Sequence, residues 1–288
     1  QYTSDIVKGD RFQLGDHILM CGSSADPQDV RMLLGDEKVD LVFTSPPYNV
    51  NLDYVEVTDD MDPKDYLALI QDVAALCYQH MGDGRFLAWN LGVRKPTQHY
   101  RQACIIEDLG FKYFRQIIWK KPGISFPIFN HTLNNPEVGN YAPNYVHEVI
   151  WLFTKGDVEK RGTADVDMKY QYDVWEISAA AATKDIPTVA EPKTLQTKDG
   201  RGKLDSRMPH AQKIHPAVYP RSIPEGGIKF LTAEGEIVYD PFAGTGTTMI
   251  AAHDLNRRAR LMELTPLYCQ VTIDRWESYT GNKAIKIE

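Results

Sequence analysis

No apolar run in this 288-residue chain approaches the about 20 residues of a membrane-spanning helix, so no segment is expected to cross a bilayer. The N-terminus lacks a basic-then-apolar leader pattern, and it opens on Gln rather than Met, as an excised part of a longer protein would. Cysteine is scarce. Cys21, Cys77, Cys104 and Cys269 lie far apart with no Cys-x-x-Cys spacing, so neither a zinc site nor a disulfide framework is indicated, no metal is expected, and a reducing cytoplasm is the expected compartment. A basic excess is also missing. The net charge of −7 argues against a nucleic-acid partner only weakly, because a basic face can sit on an acidic body.

What is present is a chain with 43% hydrophobic residues, enough to bury the core of one large domain or a domain with an insertion. Short strands are expected around Gly15-Asp16, then helical spacing over 26–35 and a strand over 38–43. Asp62-Pro63 predicts a helix start, with Asp62 as N-cap and Leu67, Ile70, Val73, Ala74 and Cys77 on one face. Strands at 85–89, 113–119 and 146–153 and a helix at 97–109 follow. Residues 121–145, dense in Pro, Asn and Gly, predict a long loop, which in a compact domain tends to serve function. From 155 to 214 the composition turns polar, with little periodicity beyond 173–177 and the alanine run 179–182, and this predicts an inserted region. The strand 236–239, a helix 246–255, a strand 259–264 and a helix 266–279 complete a pattern of alternating strands and helices. That pattern predicts a mostly parallel α/β sheet, whose ligands bind at the carboxyl ends of strands.

Two motifs stand at such ends. Residues 44–49 read Thr-Ser-Pro-Pro-Tyr-Asn, and 240–248 read Asp-Pro-Phe-Ala-Gly-Thr-Gly-Thr-Thr. In the second, Gly244 and Gly246 let the backbone approach a ligand and adopt dihedrals closed to other residues, and the helix that follows offers free N–H groups. A P-loop would need a Lys here, and a dinucleotide fingerprint would need a third Gly where Met249 stands. Both phosphate readings therefore fail, and a ligand with a carboxylate but no phosphate remains. Glu263, ending the next strand, occupies the expected place of an acid that grips ribose hydroxyls.

This segment resembles the S-adenosylmethionine-binding motif of DNA amino-methyltransferases, and Thr-Ser-Pro-Pro-Tyr resembles their catalytic motif. The resemblance runs from Gly15-Asp16 to the last helix, and the order, catalytic motif first, resembles the permuted beta class. It implies a Rossmann-like methyltransferase fold: a seven-stranded, mostly parallel sheet with helices on both faces and an inserted target-recognition region. The catalytic part would be 1–154, the recognition region 155–214 and the cofactor-binding part 215–288. The cofactor implied is S-adenosylmethionine, with contacts from Asp240, Phe242, Gly244, Gly246, Thr247 and Glu263. Where relatives commonly read Gly-Asp-Ser, with the Asp near the adenine, this chain reads Gly22-Ser23-Ser24. Ser23 is thus a further candidate, able to replace a hydrogen bond but not a charge.

The catalytic roles implied fall on Ser45, Pro46, Pro47 and Tyr48. An exocyclic base amine is a poor nucleophile, its lone pair delocalised into the ring, and it must be flipped out of the duplex. The Ser45 hydroxyl and Pro46 carbonyl suit the two N–H bonds, the prolines fix that carbonyl, and the Tyr48 ring suits stacking. Carbon-5 methylation would need a cysteine after a proline, and none of the four has that setting. Ser at the first motif position, and His215-Pro216-Ala217 upstream of the cofactor motif, resemble N4-cytosine enzymes; the N6 amine of adenine is the alternative.

For double-stranded DNA, the implied partner, residues 184–221 form a net basic stretch within an acidic chain, with Lys198, Arg201, Lys203 and Arg207 as candidate phosphate contacts and His215 beside them. Lys121 and Asn130 in the 121–145 loop are the other candidates. A cognate restriction endonuclease and a second copy of the chain are partners the sequence leaves open. A reading of another class, a catalytically silent DNA-binding module of a larger complex, also remains; Tyr48→Ala would separate the two by abolishing transfer only in an enzyme.

Overall fold

The computed structural model describes residues 4–49, 60–93, 97–122, 145–158, 166–178 and 219–288. Ten strands make one sheet: β1 (Arg11–Leu14), β2 (His17–Cys21), β3 (Val39–Thr44), β4 (Met81–Gly92), β5 (Lys112–Lys120), β6 (His147–Thr154), β7 (Val174–Glu176), β8 (Ile237–Asp240), β9 (Arg258–Glu263) and β10 (Ile285–Ile287). Their order is β10-β1-β2-β9-β8-β3-β4-β6-β5-β7. The run from β2 to β5 is the seven-stranded sheet expected from the sequence, and within it only β6 is antiparallel to both its neighbours. The β1–β10 pair widens one edge and β7 the other.

Six helices among the described residues cover the sheet: α1 (Pro27–Leu34), α2 (Pro63–His80), α3 (His99–Asp108), α4 (Ser222–Leu231), α5 (Thr247–Asp254) and α6 (Pro266–Thr280). Side chains alternate along each strand, so successive residues feed two separate cores. Val42, Leu87 and Trp89 pack with residues of α1, α2 and α3; Leu41, Phe43 and Ala88 pack with residues of α4, α5 and α6. Helices therefore lie on both faces, three on each.

The helix ends follow from local chemistry. The Asp26 and Asp62 side chains accept the backbone N–H of Gln28 and Lys64, each at 2.9 Å, ahead of Pro27 and Pro63. Such a cap contributes about 1 kcal/mol. On α2, Ile70, Val73, Ala74 and Cys77 are buried as the spacing predicts, Leu67 is only half-buried, and Tyr66 is buried with them. None of the helices is long and apolar enough to cross a membrane among the described residues.

Residues 166–178 fall within the stretch 155–214 that the sequence sets apart, yet they pack onto the sheet. β7 pairs with β5, and Trp175 and Tyr170 are buried in the core beside Ile223 and Ile228. An ideal Cβ at Gly226 would lie 2.7 Å from the Tyr170 ring, so α4 meets that aromatic pair with bare backbone. The polar composition of the surrounding stretch hides two aromatic anchors, which carry the packing.

Candidate active site

Chain direction places the site. From β3 the chain moves through α2 to β4 on one side, and from β8 it moves through α5 to β9 on the other. Adjacent parallel strands whose connections depart in opposite directions leave a crevice at their carboxyl ends. Thr44, ending β3, and Asp240, ending β8, sit at its two lips and are bonded to each other: Thr44 Oγ1 donates to Asp240 Oδ1 at 2.7 Å. The two motifs, nearly two hundred residues apart, thus share one buried hydrogen bond.

Asp240 is fully buried and its carboxylate is saturated. Besides Thr44 it accepts from Phe242 N at 3.1 Å, Thr248 Oγ1 at 2.5 Å and Tyr219 Oη at 3.3 Å. Burial pushes this carboxyl up, and the four donors pull it back. The sequence assigns Asp240 to cofactor contact; its side chain bolts the motif strands to the first turn of α5.

The glycine turn forms as the residue types require. Gly244 and Gly246 have φ of 54° and 78°, the left-handed region that favours glycine. A Cβ on Gly246 would lie 2.6 Å from Thr272 Cγ2 on α6, so the turn presses against that helix with no room for a side chain. Arg275, also on α6 and fully buried, donates to the Thr245 carbonyl and, at 2.7 Å, to Thr245 Oγ1. Burial lowers this guanidinium to about 10. It grips the turn from behind.

Glu263 ends β9 beside the turn. Its two oxygens accept the N–H groups of Gly244 at 2.8 Å and Thr265 at 2.9 Å, which fixes the carboxylate's orientation. Burial pushes it up to about 7. The Thr247 hydroxyl, at the first residue of α5, is buried with no partner among the described residues. An unfilled hydroxyl at a helix N-terminus, an oriented carboxylate and a backbone cradle closed to side chains fit the carboxylate-bearing nucleoside ligand implied by the sequence. Phe242, half-buried, meets the edge of Trp89 with ring centroids 6.3 Å apart.

Ser23 follows β2, whose Cys21 is in register with Glu263, and the Gly22 N–H donates to the Glu263 carbonyl. The acid that position 23 lacks has a neighbour: the Ser23 N–H donates to Asp29 Oδ2 at 2.8 Å. Asp29 was not singled out from the sequence. The sign it gave was an acid in the first turn of α1, and it proves buried.

On the other lip, Pro46 and Pro47 lead the chain away from β3. Tyr66 Oη donates to the Pro47 carbonyl at 2.7 Å, and Gln102 Nε2 donates to Tyr66 Oη at 2.8 Å. Gln102 Oε1 in turn accepts from Trp89 Nε1 at 2.9 Å, so three elements hold the motif backbone. The Tyr48 carbonyl accepts from Thr97 Oγ1 at 3.0 Å. A Cβ on Gly92 would lie 3.2 Å from two atoms of the Tyr48 ring, so that ring lies against bare backbone at the end of β4.

The Tyr48 hydroxyl sits in a polar cluster. Ser45 Oγ donates to Tyr48 Oη at 3.1 Å, and Tyr48 Oη donates to Glu148 Oε2 at 2.7 Å. Asn90 Nδ2 lies 3.0 Å from both Tyr48 Oη and Glu148 Oε2 and 3.3 Å from Ser45 Oγ. Lys121 Nζ donates to the other Glu148 oxygen and rests 4.3 Å above the Trp119 ring. Lys121, a candidate DNA contact from the sequence, is thereby drawn to the catalytic motif. Asn90 and Glu148 were missed, although each is a polar letter in a strand that otherwise reads as buried. Asn130, Lys198, Arg201, Lys203, Arg207 and His215 lie outside the described residues.

A family profile of N6 and N4 DNA methylases, described as DNA methylase, matches residues 39–274, a span that holds both motifs. The orphan methyltransferase M.BamHII of Bacillus amyloliquefaciens is 26% identical over 262 residues, 85% of this chain and 91% of that protein. Among solved structures, PvuII DNA methyltransferase (cytosine-N4-specific) is similar at a TM-score of 0.64 and 18% identity, over 89% of this chain and 85% of that one. A putative DNA modification methylase of Thermus thermophilus, complexed with S-adenosyl-L-methionine, is similar at a TM-score of 0.59 and 22% identity, over 94% and 97% of the two chains. Both likenesses speak for the fold.

Proposed function

The chain belongs to the N6 and N4 DNA methylase family, and from that premise we propose that it methylates the N4 amine of a cytosine flipped out of duplex DNA. It is a DNA amino-methyltransferase, and its cofactor is S-adenosylmethionine. When bound, that cofactor supplies a sulfonium methyl, an electrophile that the base amine lacks any other means to reach.

The chain's own residues do the rest. The turn at Gly244 and Gly246 would hold the cofactor's methionine end, with the Thr247 hydroxyl and the N-terminus of α5, and Glu263 would take the ribose hydroxyls. Ser45 Oγ and the Pro46 carbonyl would accept the two N–H bonds of the base amine, and the Tyr48 ring, which lies against Gly92, would stack on the base. Holding the amine by acceptors fixed before substrate arrives is preorganisation, the main means by which such a site gains rate. The observation that carries the choice of cytosine is Ser45, a neutral hydroxyl at the first motif position, joined by His215-Pro216-Ala217 in the sequence. Lys198, Arg201, Lys203 and Arg207 are the proposed phosphate contacts, within a recognition region over 155–214.

The reading is tested by transfer of labelled methyl from S-adenosylmethionine to duplex oligonucleotides in which either cytosine or adenine carries no exocyclic amine. Label is expected in the set with intact cytosine. Label only in the set with intact adenine would overturn the choice of base.

Glu263 makes the cofactor site pH-sensitive. Its raised value of about 7 means that the ionised form, which accepts ribose hydroxyls, is depleted as pH falls through 7. Affinity for S-adenosylhomocysteine, measured by calorimetry, is expected to drop by up to about tenfold from pH 8 to pH 6, the ratio of ionised fractions for one such group. In Glu263→Gln the affinity is expected to be weak, without this slope. An equal slope in the variant would assign the pH dependence to another group.

A further inference from the structure

Ser45, Tyr48 and Glu148 are joined in a directed chain of hydrogen bonds, and its direction has a chemical consequence. A hydroxyl next to a base amine can donate a proton or accept one, and only an accepting Ser45 helps the amine attack. A carboxylate accepts only. Glu148 Oε2 therefore takes the Tyr48 proton at 2.7 Å, which turns a Tyr48 lone pair towards Ser45 and draws the Ser45 proton at 3.1 Å. Of the two Ser45 Oγ lone pairs, one then faces Asn90 Nδ2 at 3.3 Å and the other is left for the amine. Asn90 supports this order, since Nδ2 donates and so leaves both hydroxyl protons pointing towards Glu148.

We propose that Glu148 is a positioning residue that sets the polarity of a Ser45–Tyr48 hydroxyl relay and receives the proton the base amine gives up. The proposal rests on the reading of Ser45 as the amine's acceptor. An amine that gains a methyl on its lone pair carries a positive charge and must lose one N–H proton. That proton passes to Ser45 Oγ as the Ser45 proton passes to Tyr48 Oη and the Tyr48 proton to Glu148 Oε2. Each hydroxyl gains and loses one proton, and the carboxylate becomes a carboxylic acid. A protonated aromatic amine is so strong an acid that a carboxylate suffices to take its proton. The groups that face the Glu148 carboxylate are Tyr48 from the motif turn, Asn90 from β4 and Lys121 at the end of β5. Glu148 itself is buried among them, in register with Gly92 and Trp119 on the neighbouring strands.

The test uses the full chain, duplex DNA and single-turnover transfer of labelled methyl, with Glu148→Gln, Tyr48→Phe and the double variant. Glu148→Gln keeps the shape but cannot take the proton, and Tyr48→Phe keeps the ring but breaks the chain from its other side, so neither variant alone decides the matter. Each single variant is expected to be slower by about 100-fold, the lower end of general-base effects. The double variant is expected to be no slower than the worse single one, because both cut the same path. Calorimetry is expected to give unchanged affinity for S-adenosylmethionine and for DNA, so that the whole loss falls on the transfer step. An active wild type with Glu148→Gln within about twofold of it, or losses that multiply in the double variant, would overturn the relay while leaving the proposed function standing. Losses matched by equally weakened binding of both ligands would overturn it too. A wild type that transfers no methyl to DNA would overturn the function and the relay together.

Discussion

Tyr48→Ala is expected to bind S-adenosylmethionine as tightly as the unaltered chain and to transfer methyl about 1,000-fold more slowly, from the sum of a lost stacking face and a lost hydroxyl. Stacking of a base on an aromatic ring contributes about 1–3 kcal/mol, or roughly 5- to 150-fold. The hydroxyl stands between Ser45 and Glu148 and has no replacement when the side chain ends at Cβ. The ring lies against Gly92 and is not part of either hydrophobic core, so its removal leaves the sheet intact. Cofactor affinity by calorimetry and single-turnover rate on DNA check the two halves separately. A variant that loses cofactor binding would place Tyr48 in the cofactor pocket and contradict the division of labour described above.

The second large effect is expected at Gly246. An alanine there meets two obstacles at once: φ of 78°, and Thr272 Cγ2 at 2.6 Å from the new Cβ, with Thr272 Oγ1 at 3.1 Å. The left-handed conformation costs roughly 1–2 kcal/mol for a residue with a Cβ. The contact cannot relax by a simple rotation, because Thr272 Oγ1 also donates to the Gly244 carbonyl at 3.2 Å. The turn must move, and the Gly244 N–H would move away from Glu263 with it. We expect cofactor affinity to fall by about 100-fold and the melting temperature by roughly 5–10 °C, at about 2–4 °C per kcal/mol for a domain of this size. Combining Gly246→Ala with Thr272→Ala removes the clash but not the backbone strain, so part of the melting temperature should return. Full recovery in the double variant would mean that the left-handed backbone contributes nothing, and would contradict the account of the turn.

The sequence carried much of this because the scaffold follows local rules. Asp62-Pro63 starts a helix wherever it precedes an amphipathic run, and Pro-Phe-Ala-Gly-Thr-Gly can leave a strand only by a tight turn. The strands of the seven-stranded sheet are apolar runs that differ little from one another, so their presence was legible. Their neighbours were not: β3 lies between β8 and β4, and nothing local in Val39–Thr44 says so. The widening of the sheet was hidden for a related reason. β10 has three residues, too few for periodicity to register, and β7 lies in the short run 173–177, where nothing local announces its pairing with β5.

The site divides along the same line. Ser45, Tyr48, Gly246 and Glu263 announce themselves by spacing within one segment. Asn90 and Glu148 do not, since each acts across strands on Tyr48, one from 42 residues away and the other from 100. Asp240 was legible as part of a motif, yet its work, holding Thr44, Thr248 and Tyr219 together, depends on partners brought by other parts of the chain. Lys121 shows the converse. A lysine in a polar loop reads as a DNA contact, and only the fold shows that it also meets Glu148 and Trp119.

The central claim is a methyl placed on an exocyclic amine of DNA, with cytosine as the target. Nucleoside mass spectrometry of DNA from cells expressing the chain measures it most directly, with Tyr48→Ala as the matched control. N4-methylcytosine present with the unaltered chain and absent with the control is the predicted result. N6-methyladenine alone, 5-methylcytosine, or no modified nucleoside above the control would contradict it.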